Sequence, residues 1–390
     1  MKTPLVLLNL LHQPVRTGVA ILGVAFAVLL VFMQLGFYGS AESAAITLYD
    51  ALDFDLILIS NNYLNSTRPH SFPIERVYQA LQHADVASAA PVYIDWQTWR
   101  ILGPDSHRRA ILVVAFNLDD PVFRRERVFL NEPADECLRR LATPDTILMD
   151  TSTRNYFGAR QVGVETELNQ TTIEVVGHFT IGTGYGADGM VLTSDRTYPR
   201  LTDSRALKLP ALGLIKLKPE ARGRAAAIKD YLSQHLYPTY PRDEVAVFTR
   251  GEIQGREQEY WVDRTSVGII FQMGVVVACI VGVIFVYQVM ATDIADHFAE
   301  YATLKAIGYG SGYLSWVVLR QALTLAVLGY VPAFAAALGL YALGRNHAEL
   351  LLSMTWMRAV GVLLLSMAMC SLSGLLALRK VKAADPAELF

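Results

Sequence analysis

Residues 266–290 read SVGIIFQMGVVVACIVGVIFVYQVM. No acidic or basic side chain interrupts them, and Gln272 and Gln288 are the strongest polar groups. A helix of this composition is apolar on every face, and a bilayer crossing needs roughly 20 such residues. Lipid offers the backbone no hydrogen-bond partner, so the segment must bond within itself as a helix. This stretch predicts a transmembrane span. Working outward, three more stretches read the same way. Residues 17–38 carry Gln34 as their one strongly polar residue, 313–343 are broken by Arg320 and Pro332, and 359–378 hold no charge. The fold class that follows is an α-helical membrane protein with four transmembrane helices, plus an α+β extracytoplasmic domain inserted between helices one and two.

Composition supports this class. The 390 residues are 53% hydrophobic with a net charge of −2, and mean hydropathy is +0.30. A chain without basic excess has no electrostatic footprint for nucleic acid. Cys279 and Cys370 lie inside apolar runs, while Cys137 stands alone in the polar region. The polar region therefore holds no internal disulfide framework, and the cysteines read as small apolar fillers.

Orientation follows from basic residues in the short flanks. Lys2, Arg16, Lys305, Arg379, Lys380 and Lys382 fall on one side, against Arg345 and Arg358 on the other. Both termini are expected in the cytoplasm. Residues 1–16 then form an interfacial helix, with Leu5, Leu8 and Leu11 on one face and Pro14 ending it. Residues 17–38 are the first span, an uncleaved anchor. Residues 39–265 are the outer domain with its stalk helices, and 266–290 the second span. Residues 291–312 form a cytoplasmic coupling loop, 313–343 the third span and 344–358 a short outer loop. Residues 359–378 are the fourth span and 379–390 a cytoplasmic tail.

In the outer domain, strand patterns cover 55–60, 92–102, 110–116, 172–180, 190–193, 212–217 and 245–249. Helix patterns cover 73–83, after a Ser71 cap, and 219–236. The charged run 119–140 reads as a surface excursion. Residues 40–52 and 251–265 contain no proline and are expected to run as helices unbroken into the bilayer, a two-rod stalk.

Enzymatic motifs are lacking. There is no Gly-Lys-Ser/Thr of a nucleotide-binding loop, no His-Glu-x-x-His and no Gly-x-Ser-x-Gly. Gly184-Tyr-Gly-Ala-Asp-Gly189 matches Gly-x-Gly-x-x-Gly, but a strand pattern follows where a dinucleotide site needs a helix N-terminus. It reads as a tight loop whose glycines permit positive φ or close approach of another chain segment. No cofactor and no metal site is indicated. Arg320 lies near the inner end of its span, where it can snorkel to the interface, and the span glutamines read as helix-packing groups.

Residues 299–309, AEYATLKAIGY, form a helix pattern stopped by Gly308. Here the sequence resembles the FtsX-like permease family, whose loop carries a Glu, a small residue and then Lys-Ala-Leu-Gly. The matching positions are Glu300, Thr303, Lys305, Ala306 and Gly308, with Ile307 replacing the Leu. Asn9-Leu10, Arg16-Thr17, Gly23 and the terminal Ala384-Asp-Pro-Ala-Glu-Leu389 are also similar to that family's ends. Within it, 179–189 followed by Leu192-Thr-Ser-Asp195 resembles the DevC-type permeases, subunits of exporters similar to MacB systems. The resemblance implies a non-enzymatic permease subunit in the bacterial inner membrane. It would work as a homodimer with a separate ABC ATPase subunit, a periplasmic adaptor (membrane fusion) protein and an outer-membrane channel. It implies export of a lipid or amphipathic cargo, of glycolipid type, driven by motion passed from Glu300, Thr303, Lys305, Ala306 and Gly308 to the outer domain. Lipoprotein release and an FtsX-type signal to cell-wall hydrolases are alternatives with the same layout.

Overall fold

The computed structural model describes residues 14–101, 107–158, 160–182, 184, 186–202, 204–236, 244–296, 307, 311–348 and 351–383. The interfacial helix expected before Pro14 and the family-like ending 384–389 lie outside them. The chain divides into two units, Met1–Ser40 with Ser266–Phe390, and Ala41–Thr265.

In the first unit, four helices are long and apolar enough to cross a membrane. They belong to α1 (Pro14–Ala45), α9 (Ser266–Asp296), α10 (Ser311–Ala348) and α11 (Trp356–Ala383). Small residues set their contacts. Tyr341 lies over Gly36 and its hydroxyl donates to the Phe32 carbonyl; Gln34 lies against Gly274; Gly282 receives Met369. Lipid supplies no hydrophobic drive between helices, so close backbone approach of this kind holds them together. Pro332, which interrupts the third apolar stretch, lies inside α10, and the helix runs through it. In a bundle, neighbouring groups re-satisfy the freed backbone. Arg320 is exposed, its guanidinium 5.5 Å from the Trp316 ring centroid, one turn toward the helix start. That direction is the one expected of a snorkelling side chain.

The second unit is built on a nine-stranded sheet in the order β3-β7-β4-β6-β5-β2-β8-β1-β9. The strands are β1 (Leu56–Ser60), β2 (Val86–Arg100), β3 (Arg108–Phe116), β4 (Thr146–Asp150), β5 (Glu165–Leu168), β6 (Thr171–Phe179), β7 (Met190–Ser194), β8 (Leu212–Leu217) and β9 (Val245–Thr249). Because β2 also pairs with β3 from Val92↔Phe116 to Arg100↔Arg108, strands β3, β7, β4, β6, β5 and β2 close into a ring. The other half of β2 pairs with β8, which continues into β1 and β9. One long strand thus belongs to two lobes. Alternation along β3 sorts the ring's two faces. Ile111, Val113 and Ala115 join Ile147, Met149, Val175 and Val191 in one core, while Leu112, Val114 and Phe116 join Leu148, Met190 and Leu192 in another. In the second lobe, α3 (Glu75–Ala80) and α7 (Ala225–His235) bring Val77, Ala80, Ile228 and Leu232 to Leu56, Leu58, Ile215 and Val247.

Three readings are corrected here. The charged run 119–140 is not a surface excursion, since Val122, Phe123, Val128, Cys137 and Leu141 are buried in the main core. Its charged side chains point outward between them, and helix α5 (Ala134–Leu141) segregates the two sets. Ser71 does not cap α3, whose preceding residue Ile74 makes no side-chain cap. The stalk is also not unbroken. After α1, Ile46 leaves helical geometry (φ −101°, ψ 2°) before α2 (Thr47–Ala51). The Thr47 hydroxyl there takes the carbonyls of Ser43 (3.2 Å) and Ala44 (3.1 Å) in competition with the helix ladder. On the outgoing side, α8 (Arg250–Glu259) widens into a π turn, Tyr260–Arg264, and Thr265 is extended (φ −102°, ψ 155°). Buried positions step from Ile253 to Glu257 to Val262. The second step of five residues is one that a π turn accommodates and an α-helix does not.

Candidate functional site

Glu300, Thr303, Lys305, Ala306 and Gly308 lie outside the described residues. Among their neighbours, Ile307 is described and exposed. The described candidate site is the junction in the second unit where the incoming segment, residues 41–54, meets the outgoing helix α8.

The junction is built upward from α8. Thr249 and Glu252 form a capping box: the Thr249 backbone N–H donates to Glu252 Oε2 at 2.8 Å and the Glu252 N–H to Thr249 Oγ1 at 3.4 Å. Lys229 adds a 2.7 Å contact to Glu252 Oε1 and draws its carboxyl below the usual glutamate range. The box satisfies two of the N–H groups that a helix start leaves open. With the start fixed, every third or fourth side chain of α8 faces the incoming segment. Arg250 donates from Nη1 to the Tyr49 carbonyl at 2.8 Å, and from Nη2 to those of Leu52 (2.8 Å) and Phe54 (3.0 Å). Its guanidinium carbon lies 4.2 Å from the Phe54 ring centroid. Gln254 donates to Asp50 Oδ1 at 2.9 Å, and Gln258 to the Glu42 carbonyl at 3.4 Å. The planar fork of an arginine suits three converging carbonyls, which an ammonium serves poorly.

At the centre is Glu257, fully buried. Its Oε1 accepts from the Ser66 backbone N–H (2.8 Å), the Ser66 hydroxyl (2.8 Å) and Trp261 Nε1 (3.1 Å). Its Oε2 accepts from the Tyr63 hydroxyl at 2.6 Å, and that hydroxyl is bonded in turn to the hydroxyl of Tyr49. Burial raises the Glu257 carboxyl above its ordinary range, against the pull of the donors. Burial also raises both tyrosine hydroxyls, which stay protonated.

The glycine loop after β6 closes the junction from a third side. Asp150, buried at the end of β4, accepts from the N–H groups of Ile181 (3.0 Å), Gly182 (2.9 Å) and Ser152 (2.7 Å). This pins the loop where Gly182 and Gly184 take φ +95° and +59°. Close approach is to the same chain. A β-carbon on Gly184 would stand 2.9 Å from the Ala44 carbonyl oxygen, and one on Gly186 would stand 2.5 Å from Thr67 Cγ2 and 3.2 Å from Trp261. Between loop and helices lies a cavity of ≈ 20 Å³, bordered by Ala44, Thr47, Ser66, Gly184 and Trp261. That is room for about one water molecule and far below the few hundred Å³ of a ligand pocket. This cavity is therefore too small to hold a cargo molecule. Among the described residues no cluster of His, Cys, Asp or Glu is arranged to hold a metal.

The sequence reading singled out the glycine loop and both connecting stretches but not what joins them. Arg250, Tyr49 and Tyr63 went unremarked, because their partners lie about 190 to 200 residues away and most are backbone atoms without a motif.

Comparison with known proteins adds the following. Residues 273–386 match the family model of the FtsX-like permease C-terminal domain. No curated protein matches the chain in sequence. Among solved structures, the periplasmic region of MacB from Actinobacillus actinomycetemcomitans overlaps 53% of this chain and 93% of its own, with 8% identity and a TM-score of 0.37. The extracellular domain of the noncanonic ABC-type transporter YknZ from Gram-positive bacteria overlaps 50% and 99%, with 11% identity and a TM-score of 0.34. Both structural overlaps are weak, and the functional reading rests on the family match.

Proposed function

We propose, from the match of residues 273–386 to the family model of the FtsX-like permease C-terminal domain, that this chain is the permease subunit of an ABC exporter whose ATPase is a separate chain. It sits as a multi-pass protein in the inner membrane, with both termini in the cytoplasm and residues 41–265 on the outer side. ATP-driven closure of the partner displaces the inner loop, where Glu300 and Lys305 supply the polar contacts to the ATPase, Gly308 the turn into the third span, and Thr303 and Ala306 are the further positions shared with the family's coupling motif. The motion passes along the second span and the first to the outer domain. That domain works with a periplasmic adaptor and an outer-membrane channel, in a homodimer, to move an amphipathic cargo of glycolipid type.

The single observation that carries this reading is the family match across the last three spans. The junction supports it. A domain that is to be moved by its two connections must grip both, and α8 holds the incoming segment through Arg250, Gln254 and Gln258.

The test is affinity purification in mild detergent, alongside Glu300→Lys and Lys305→Glu. The expected result is co-elution of an ABC ATPase and an adaptor from the wild type, with export lost in the variants while membrane insertion is retained. Co-elution of a cell-wall hydrolase with no adaptor or channel would replace the exporter with a signal transmitter. ATPase recruitment and export that both survive the charge reversals would remove the loop from the coupling path.

A further inference from the structure

Glu257 is a fully buried carboxyl that the exporter reading does not use. Among the described residues, the groups bonded to it are all hydrogen-bond donors and none is a cation at ion-pair distance. Tyr63 and Ser66 come from the loop after β1 and Trp261 from the π turn that follows its helix, Tyr49 of the incoming segment reaches it through Tyr63, and Arg256 precedes it on its own helix. Arg256 is the one charged group among these. It is turned away, donating to the Tyr63 carbonyl at 3.1 Å with its guanidinium carbon 5.6 Å from the Tyr63 ring centroid and 5.4 Å from that of Phe248.

The two tyrosine hydroxyls make this arrangement reversible. A hydroxyl both donates and accepts. With Glu257 ionised, Tyr49 donates to Tyr63 and Tyr63 donates to Oε2. With Glu257 protonated on Oε2, that proton points to the Tyr63 oxygen, Tyr63 donates to Tyr49, and the same heavy atoms remain bonded. The geometry fits both forms, since either hydroxyl of the Tyr49–Tyr63 pair can act as donor. Only the direction of the chain changes, and it runs from the outgoing helix to the incoming one.

We infer that Glu257 is a positioning residue whose protonation state, through the direction of the Tyr63–Tyr49 hydroxyl chain, sets how firmly the outgoing helix is held to the incoming segment. The role this has in transport rests on the exporter reading; the latch itself does not. Burial holds the Glu257 carboxyl above the usual glutamate range in the closed junction. An opened junction returns it to water and to its ordinary value. The closed state therefore binds the proton more tightly. Closure is firmest below the ordinary glutamate range and weakens as pH rises toward the raised value, beyond which the carboxyl is ionised in both states.

The experiment is hydrogen exchange on the full-length chain in detergent. Peptides spanning 60–68 and 250–264 are followed from about pH 4.5 to about pH 8 and corrected for intrinsic exchange. No ATPase, adaptor or cargo is present, so the outcome is independent of the co-purification test. Wild-type protection is expected to fall with rising pH, by at most about tenfold per unit within the window. Glu257→Gln mimics the protonated form and should be flat, at the level the wild type shows at the acid end. Tyr49→Phe removes the acceptor that the protonated arrangement needs, while the ionised one loses only a donor, so its response should move toward acid. A merely structural tyrosine would leave that midpoint in place. A flat wild type, a Glu257→Gln profile with the wild-type slope, or a Tyr49→Phe midpoint equal to the wild type's would each overturn the latch.

Discussion

Gly184, at φ +59°, lies so close to Ala44 that a β-carbon on it would stand 2.9 Å from the Ala44 carbonyl oxygen. The obstacle is backbone, which cannot rotate aside as a side chain does. Gly184→Ala combines left-handed strain with this contact and is expected to cost about 1–3 kcal/mol. Gly223→Ala is the control: it has negative φ and open space around the added carbon, and a change within about 0.5 kcal/mol is expected. Urea titration of the purified chain, read by the near-ultraviolet signal of the second unit, separates the two. Equal midpoints would show that the loop does not bear on Ala44.

Arg250 offers a second, chemically distinct handle on the same junction. It serves three carbonyls of the incoming segment and lies on Phe54. Arg250→Lys keeps the charge and loses the fork, so two of the three carbonyls lose their donor. A loss of about 1–3 kcal/mol in local stability is expected. Limited proteolysis between residues 46 and 56 is the readout, because these carbonyls all lie in the stretch that follows the turn at Ile46. Lysine that protects as well as arginine would make the contact electrostatic rather than geometric.

What the sequence made legible, and what it hid, divides along physical lines. Hydropathy reports burial in lipid without ambiguity, so the spans in 266–290 and 359–378 were plain. Strands with period-two or β-branched runs, such as β1 and β8, were equally plain. Strand β4 was missed because Thr146-Ile-Leu-Met-Asp150 is buried along its whole length, and a short run buried on both faces carries no alternation. Strand β5 was missed because Glu165-Thr-Glu-Leu168 looks polar, its register being set by β6 and the end of β2. The junction was hidden for a different reason. Its bonds join side chains of α8 to backbone atoms near residue 50, and no local pattern reports a contact with a carbonyl so distant in sequence. The π turn was invisible because nothing in Tyr260-Trp-Val-Asp-Arg264 forbids an α-helix; it accompanies the burial of Val262 five residues after Glu257, a spacing the wider turn accommodates.

The capping box at Thr249 gives a prediction with a pH signature. Glu252 is drawn below its ordinary range chiefly by Lys229, with the Thr249 groups adding to this. A depressed carboxyl stabilises the fold above its unfolded value, and that contribution is lost as pH falls through the folded value. Glu252→Gln should therefore lower stability at neutral pH by no more than about 1 kcal/mol, since the group is partly exposed and screened. The difference from wild type should vanish in acid below the ordinary glutamate range. Thermal melts of both proteins across that range decide it, and a gap that persists in acid would assign the effect to packing instead of charge.

Topology can be tested without disturbing any of these contacts. Cys137 is fully buried in the middle of α5, and Cys279 and Cys370 lie in the spans. Native thiols are thus poor reporters of sidedness. Gly223 sits on an exposed turn with nothing within 4 Å of an added β-carbon. A Gly223→Cys variant in a Cys137→Ser background should fold normally and react with a membrane-impermeant maleimide in intact spheroplasts. The basic flanks predict this outcome, because Lys2, Arg379 and Lys380 resist translocation while the short loop 344–358 holds only Arg345 and Arg358. Labelling that appears only after the membrane is permeabilised would place residues 41–265 in the cytoplasm. No adaptor outside the membrane could then reach them, and the exporter reading would fail with the orientation.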